Sequence, residues 1–289
     1  MGRSELPVLR TEAMSPPRRS VLLGALGTAA ALALTRPASA ASAGSISTGP
    51  ASVGVGAAGP TPAGTNSVGA APAAPAAPAA HPAITPAYPL RTRADWAADE
   101  SLRFSAGGTE IWPPEYYPLQ TLSLHHTADG STDPDPAARV RAIYRNDAVG
   151  KGWGDIGYHY LIDADGTVYE GRWSGTDGTP AHDAAGRLVT AAHIGGYNSG
   201  NLGIALLGTL TNTPASAAAR AALVQLLAEL AVRHSVDPLA TVGYRNPVSG
   251  VTRTVAAISG HQDWAATLCP GTLHADLPQL RTDVDRLIG

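Results

Sequence analysis

Two histidines and the chain's single cysteine are the residues whose types could do chemistry together. The chain carries nine histidines and one cysteine in 289 residues. Cys269 stands in SGHQDWAATLCPG (259–271), eight positions after His261 and directly before a Pro-Gly pair. His125 opens the histidine pair of LHHTA (124–128). A lone thiol cannot close a disulfide within the chain, so it is either a small buried apolar residue or a reactive or metal-held thiolate. Two imidazoles and one thiolate are borderline-to-soft donors that suit Zn2+. Three such ligands leave one tetrahedral position for water, whose pKa falls to about 7 on the metal. Ligation would also shield an unpaired thiol from oxidation. The H-x7-C spacing is not that of a zinc finger, and no glutamate stands beside these residues as in H-E-x-x-H enzymes. On spacing alone, a buried structural cysteine stands as the alternative.

Strands and loops must bring the three residues together. LQTLSLHHTA (119–128) alternates as a half-buried strand does, with Leu122, Leu124 and His126 on one face and Thr121, Ser123 and His125 on the other. The two adjacent histidines therefore have different fates. DPDPAARVRAIYRNDAVG (133–150) reads as a helix capped by Asp135, with Pro136 in its first turn and Val140, Ile143 and Tyr144 at helical spacing. GYHYLIDADGTVYEGR (157–172) reads as a hairpin turning at Asp165-Gly166, with Tyr158, Tyr160 and Ile162 along one face. NLGIALLG (201–208) has the unbroken apolarity of a central strand. A helix is expected over 213–235, capped by Thr213 and burying Leu223, Leu226, Leu227 and Leu230. TVAAISGH (254–261) reads as one strand ending at His261, and Leu277, Leu280, Val284 and Leu287 mark a closing helix. The expected class is α/β: a single domain with a central mixed β-sheet packed by helices, preceded by a signal peptide and a disordered linker.

Composition separates those preceding segments. Arg18-Arg19, the apolar run 21–34 and the small residues ASA at 38–40 read as an export signal of twin-arginine type over residues 1–40. Residues 41–89 are rich in Ala and Pro, carry no charge and show no apolar period, as a semi-extended linker does. Loss of residues 1–40, with five arginines and two glutamates, would take the formal charge from −3 to −6. A mildly acidic chain with no basic run is not expected to bind nucleic acid. The expected compartment is secreted or extracytoplasmic, without stable membrane insertion once the signal is removed, and the expected state is a monomer.

LHHTADG, GWGDIGYHYLIDADGTVYEGR, HIGGYNSGNLGIALLG and GHQDWAATLCPG follow one another in this order. Together they resemble the peptidoglycan recognition proteins, or type 2 N-acetylmuramoyl-L-alanine amidases. The likeness covers roughly 90–285 of an expected domain at 90–289, where LRTRADWAADESLR (90–103) resembles the opening of exported members. The resemblance implies a zinc amidase that cleaves the lactyl-L-Ala amide of peptidoglycan. It implies His125, His261 and Cys269 as metal ligands and Tyr158 and Thr267 as catalytic donors. It also implies Gly152, Trp153 and Arg172 as substrate contacts that favour meso-diaminopimelate in the muropeptide, with Arg172 pairing to the extra carboxylate. The loop after Arg172 departs from the family pattern and carries an insertion. His193 resembles a family position near the groove and is expected either to contact substrate or to form its wall, and Asn198 either to touch ligand or to shape a turn. His126 and His159 are expected to be structural, and His182, His234 and His274 to lie at the surface or at helix ends. Trp96 and Trp112 are expected to serve packing. The rival reading is a peptidoglycan-binding module of the same fold that does not cleave.

Overall fold

The computed structural model describes residues 87–130 and 134–289. The expected signal (1–40) and all but the last three residues of the expected linker (41–89) lie outside the described residues.

In chain order the elements are β1 (Leu90–Arg91), β2 (Tyr116–Tyr117), β3 (Thr121–His126), α1 (Pro136–Arg145), β4 (Tyr160–Ile162), β5 (Val168–Glu170), β6 (Leu188–Val189), β7 (Asn201–Leu206), α2 (Ala217–His234), β8 (Thr241–Arg245), β9 (Thr252–Ala256), β10 (Ile258–Gly260) and α3 (Thr272–Ile288). Six strands form a mixed sheet in the order β1-β5-β4-β7-β3-β10, in which only β4 and β5 pair antiparallel. β2 pairs with β6 and β8 with β9, each as a small antiparallel ribbon. The leucine stripe of α2 and Leu273, Leu277 and Leu280 of α3 bury one face of the sheet. Val140 and Tyr144 of α1, with Trp96, cover part of the other. The expected α/β class with a helix-packed mixed sheet is what the chain forms. Among the described residues, no helix is long and apolar enough to cross a membrane.

Several local expectations are corrected. β3 pairs with β7 and β10 along its edges and is buried on both faces, because side chains cover its polar side as well. There Ser123 bonds Asn201 at 2.8 Å, and the Trp264 indole donates to Ser259 at 2.9 Å. α2 begins after Ser216, whose hydroxyl accepts the Ala219 N–H, while Thr213 gives its carbonyl to Thr272. The expected strand 254–261 is two, broken at Ala257, because β9 joins the β8 ribbon and β10 joins the main sheet. Tyr158 precedes β4 and escapes its alternation, so it packs with the Trp96, Tyr144 and Leu161 cluster rather than with Tyr160 and Ile162. Leu287 stays exposed, and His182 is buried against His234, with their Nε2 atoms 2.8 Å apart.

Glu170 of β5 is a buried carboxyl whose Oε2 accepts the Gly178 N–H at 2.9 Å, while its Oε1 has no partner among the described residues. Burial pushes its pKa from 4.5 up to about 7. The fold thus favours the neutral acid, a contribution fully present below the unfolded value and lost as pH rises through about 7. Glu170→Gln is expected to flatten the fall in Tm between pH 5 and pH 8. Parallel Tm curves for the two proteins would refute this.

Candidate metal centre

Period-2 alternation sends His125 to the face of β3 opposite Leu122 and Leu124, where it is 1 % exposed. β10 lies parallel to β3 with Gly260 beside Leu124, so the chain leaving β10 carries His261 next to His125, with ring centroids 4.7 Å apart. A short turn over His261–Asp263 reverses the chain, and the Gln262 N–H donates to the Cys269 carbonyl at 2.9 Å. Cys269 Sγ then stands 3.6 Å from His125 Nδ1 and accepts the His126 backbone N–H at 3.3 Å. One ligand atom each from His125, His261 and Cys269 lie within 4.8 Å of one another. His125 and His261 thus sit at the carboxyl ends of two parallel strands, a common place for sites in such sheets, and Cys269 comes from the loop that follows the second.

Burial, helped by the neighbouring His193 and His261, holds the His125 imidazole well below its usual pKa. Burial likewise lowers His261. Both rings therefore offer nitrogen lone pairs at neutral pH. Burial pushes the Cys269 thiol up to about 11, so a thiolate here requires a cation beside it. Two neutral imidazoles and such a sulfur are a donor set that fits Zn2+.

The Tyr158 ring lies 5.3 Å from that of His125. Burial raises its pKa, with Cys269 adding, so its hydroxyl is a neutral donor. Thr267 Oγ1 accepts the Cys269 N–H at 3.2 Å and keeps its own proton to give. Beside Tyr158 runs a groove of about 300 Å³. Two ion pairs face it: Asp129 with Arg139 at 2.6 Å and Asp147 with Lys151 at 2.7 Å.

The sequence family described as N-acetylmuramoyl-L-alanine amidase matches residues 115–272, a span that holds His125, His261, Cys269, Tyr158 and Thr267. The chain belongs to the N-acetylmuramoyl-L-alanine amidase family. It is 34% identical over 169 residues to human N-acetylmuramoyl-L-alanine amidase, a match covering 57% of this chain and 24% of the human protein. The chain thus spans about a quarter of that relative's length. It is 31% identical over 156 residues to Drosophila melanogaster peptidoglycan-recognition protein SC2, covering 53% of this chain and 69% of that one. Among solved structures it is similar to Drosophila peptidoglycan recognition protein SD, at 28% identity and a TM-score of 0.47, covering 66% of this chain and 94% of that chain.

The substrate-contact residues expected of an amidase of this family separate in space. Lys151 lines the groove, and Trp153 holds its ring 4.3 Å from the Lys151 ammonium, after Gly152 at φ +71°. Arg172 is a correction. It is 0 % exposed, and its three nitrogens bond Asp155, the Trp112 carbonyl and the Thr190 carbonyl, with the Trp112 ring 3.8 Å above. It therefore presents no free fork to a ligand carboxylate. His193 and Asn198 are both engaged within the protein. His193 is 8 % exposed and lies against His125, and Asn198 Oδ1 accepts the N–H groups of His193 and Ile194. His126 and His159 are structural as expected: His126 Nδ1 accepts from Leu210 and His159 Nδ1 from Gly203, each at 2.9 Å.

Two acidic residues that hold the backbone leading into Tyr158 are not among those expected from the sequence. Asp155 gathers Arg93, Arg172 and two backbone N–H groups. Asp147 is buried and braces the Gly157 N–H at 3.0 Å, just before Tyr158, while pairing with Lys151. A charged residue inside the apolar-aromatic run GWGDIGY is the signal that could have found Asp155. Nothing in the sequence marks Asp147 apart from a solvated helix residue.

Proposed function

We propose that the chain is a secreted, zinc-dependent N-acetylmuramoyl-L-alanine amidase whose catalytic domain spans 90–289 and which cuts the amide joining the lactyl group of N-acetylmuramic acid to L-alanine. The observation that carries this is the convergence of His125, His261 and Cys269 within 4.8 Å, on a chain of the amidase family. When bound, Zn2+ supplies a Lewis acid and lowers the pKa of water to about 7. This chain's own part is to hold that ion through two neutral imidazoles and a sulfur, and to present donors to the oxyanion that develops on the amide. Tyr158 and Thr267 are those donors, and neither brings a charge. Tyr158→Phe is expected to lower kcat about 10²–10³-fold, the usual cost of removing one such donor, with metal content unchanged. Wild-type turnover in this variant would remove Tyr158 from the reaction.

The groove beside Tyr158 is the place for the stem peptide. A diaminopimelate preference now rests on Gly152-Trp153 alone, since Arg172 is spent inside the protein. The rival reading, a binding module without catalysis, does not need the Cys269 sulfur or the adjacent Tyr158. Purified sacculi digested with and without a chelator, with products read by mass spectrometry, test the function. The expected products are free stem peptides beginning with L-Ala, lost on chelation and restored by zinc. Intact murein with metal-replete protein would overturn the reading. Comparison of diaminopimelate-type with lysine-type muropeptides tests the preference, and equal rates would end it.

A further inference from the structure

We infer that His193 is a positioning residue of the metal centre, which accepts the Nε2–H of His125 and so leaves His125 Nδ1 as the lone-pair nitrogen turned toward Cys269. This rests on the metal-centre reading above and deepens it. His193 Nε2 lies 3.0 Å from the Asn201 carbonyl, which can only accept, so the His193 ring carries its hydrogen on Nε2. A neutral imidazole carries one such hydrogen, and His193 Nδ1 is then an acceptor. The group facing it, at 3.1 Å, is His125 Nε2, which must supply the hydrogen between them. His125 Nδ1 is left bare, 3.6 Å from Cys269 Sγ. The opposite tautomer would place a hydrogen where a cation belongs. Outer partners of ligating histidines commonly set tautomer and ring orientation in this way.

Two further features hold His193 at this angle. Asn198 Oδ1 accepts from the His193 and Ile194 N–H groups at 2.9 and 2.8 Å, which fixes the loop. The ring lies flat on β7 over Gly203, where a Cβ would meet His193 Cγ at 2.5 Å. Any other residue at 203 forces the ring out of this position.

The test uses the full chain and two readouts that need no catalysis. Long-range ¹H–¹⁵N correlation of the metal-free protein, with His125 assigned by substitution, reads its tautomer. Chelator competition reads zinc affinity. The wild type is expected to carry the His125 hydrogen on Nε2. His193→Ala is expected to lose that bias and to bind zinc about 10–100-fold more weakly. His193→Asn, whose Oδ1 takes the place of Nδ1, is expected to recover most of both, and Gly203→Ala to resemble His193→Ala. Thermal melts identify any variant that fails to fold. A wild-type His125 protonated on Nδ1, unchanged zinc affinity in His193→Ala, or an equal loss in His193→Asn would overturn the inference. Wild-type protein that binds no zinc would sink the metal-centre reading itself, and the tautomer result would still stand on its own.

Discussion

Cys269→Ser is expected to abolish murein hydrolysis and to strip the centre of zinc, while the protein stays folded. A serine hydroxyl is a harder and far less acidic donor than a thiol, so it is a poor third partner for Zn2+ beside two imidazoles. The loss should exceed the about 10–100-fold typical when only an outer partner of a ligand is removed. The substitution also separates the two meanings a lone cysteine could have. If Cys269 were only a packed apolar residue, a hydroxyl in its place would lower stability and leave metal content alone. If the sulfur is a ligand, metal content and activity fall together, and Tm falls mainly through the lost ion. Zinc analysis, sacculus digestion and a thermal melt on one preparation decide between them. A serine variant with wild-type zinc and turnover would refute the proposed centre.

Asp155→Ala is expected to cost about 3–5 kcal/mol of stability, the penalty of stranding buried charge. Asp155 is 1 % exposed. Oδ1 takes Arg93 at 3.0 Å and the Ile156 N–H at 2.8 Å, and Oδ2 takes Arg172 at 2.6 Å and the Trp173 N–H at 2.9 Å. Removing this carboxylate leaves two buried guanidinium groups short of counter-charge and two amides short of acceptors. Glu100 still reaches Arg93 at 2.8 Å, but its side chain is 37 % exposed and it does not touch Arg172. Asp155→Asn keeps oxygen and shape and is expected to be milder. Urea unfolding at pH 7 measures both. A midpoint shift equivalent to under about 0.5 kcal/mol for Asp155→Ala, the range of ordinary surface changes, would overturn the assignment.

Much of the site is legible in short stretches of the sequence. Alternation along 119–128 places His125 and His126 on opposite faces, and the two rings do part: one meets His261 and Cys269, the other accepts from Leu210. The leucine stripe of α2, the cap at Asp135 and the turn at Asp165-Gly166 also follow from local rules, since caps and periods need only near neighbours. Element ends are less legible. Thr213 and Ser216 both can cap, and in the fold it is Ser216 that accepts the Ala219 N–H, while the Thr213 carbonyl accepts from Thr272, far along the chain. The break at Ala257 arises because two different sheets compete for one strand.

The types and order of the candidate ligands and the family membership were thus determined by the sequence itself, because they depend on side-chain chemistry and on patterns a few residues long. Only the tertiary structure decided that Arg172 is enclosed by Asp155 and Trp112, that His193 lies against His125, and that Asp155 and Asp147 hold the backbone leading into Tyr158. Burial and choice of partner are set by contacts between distant segments. Whether a charged or titratable group serves a ligand or the fold is therefore decided where those segments meet.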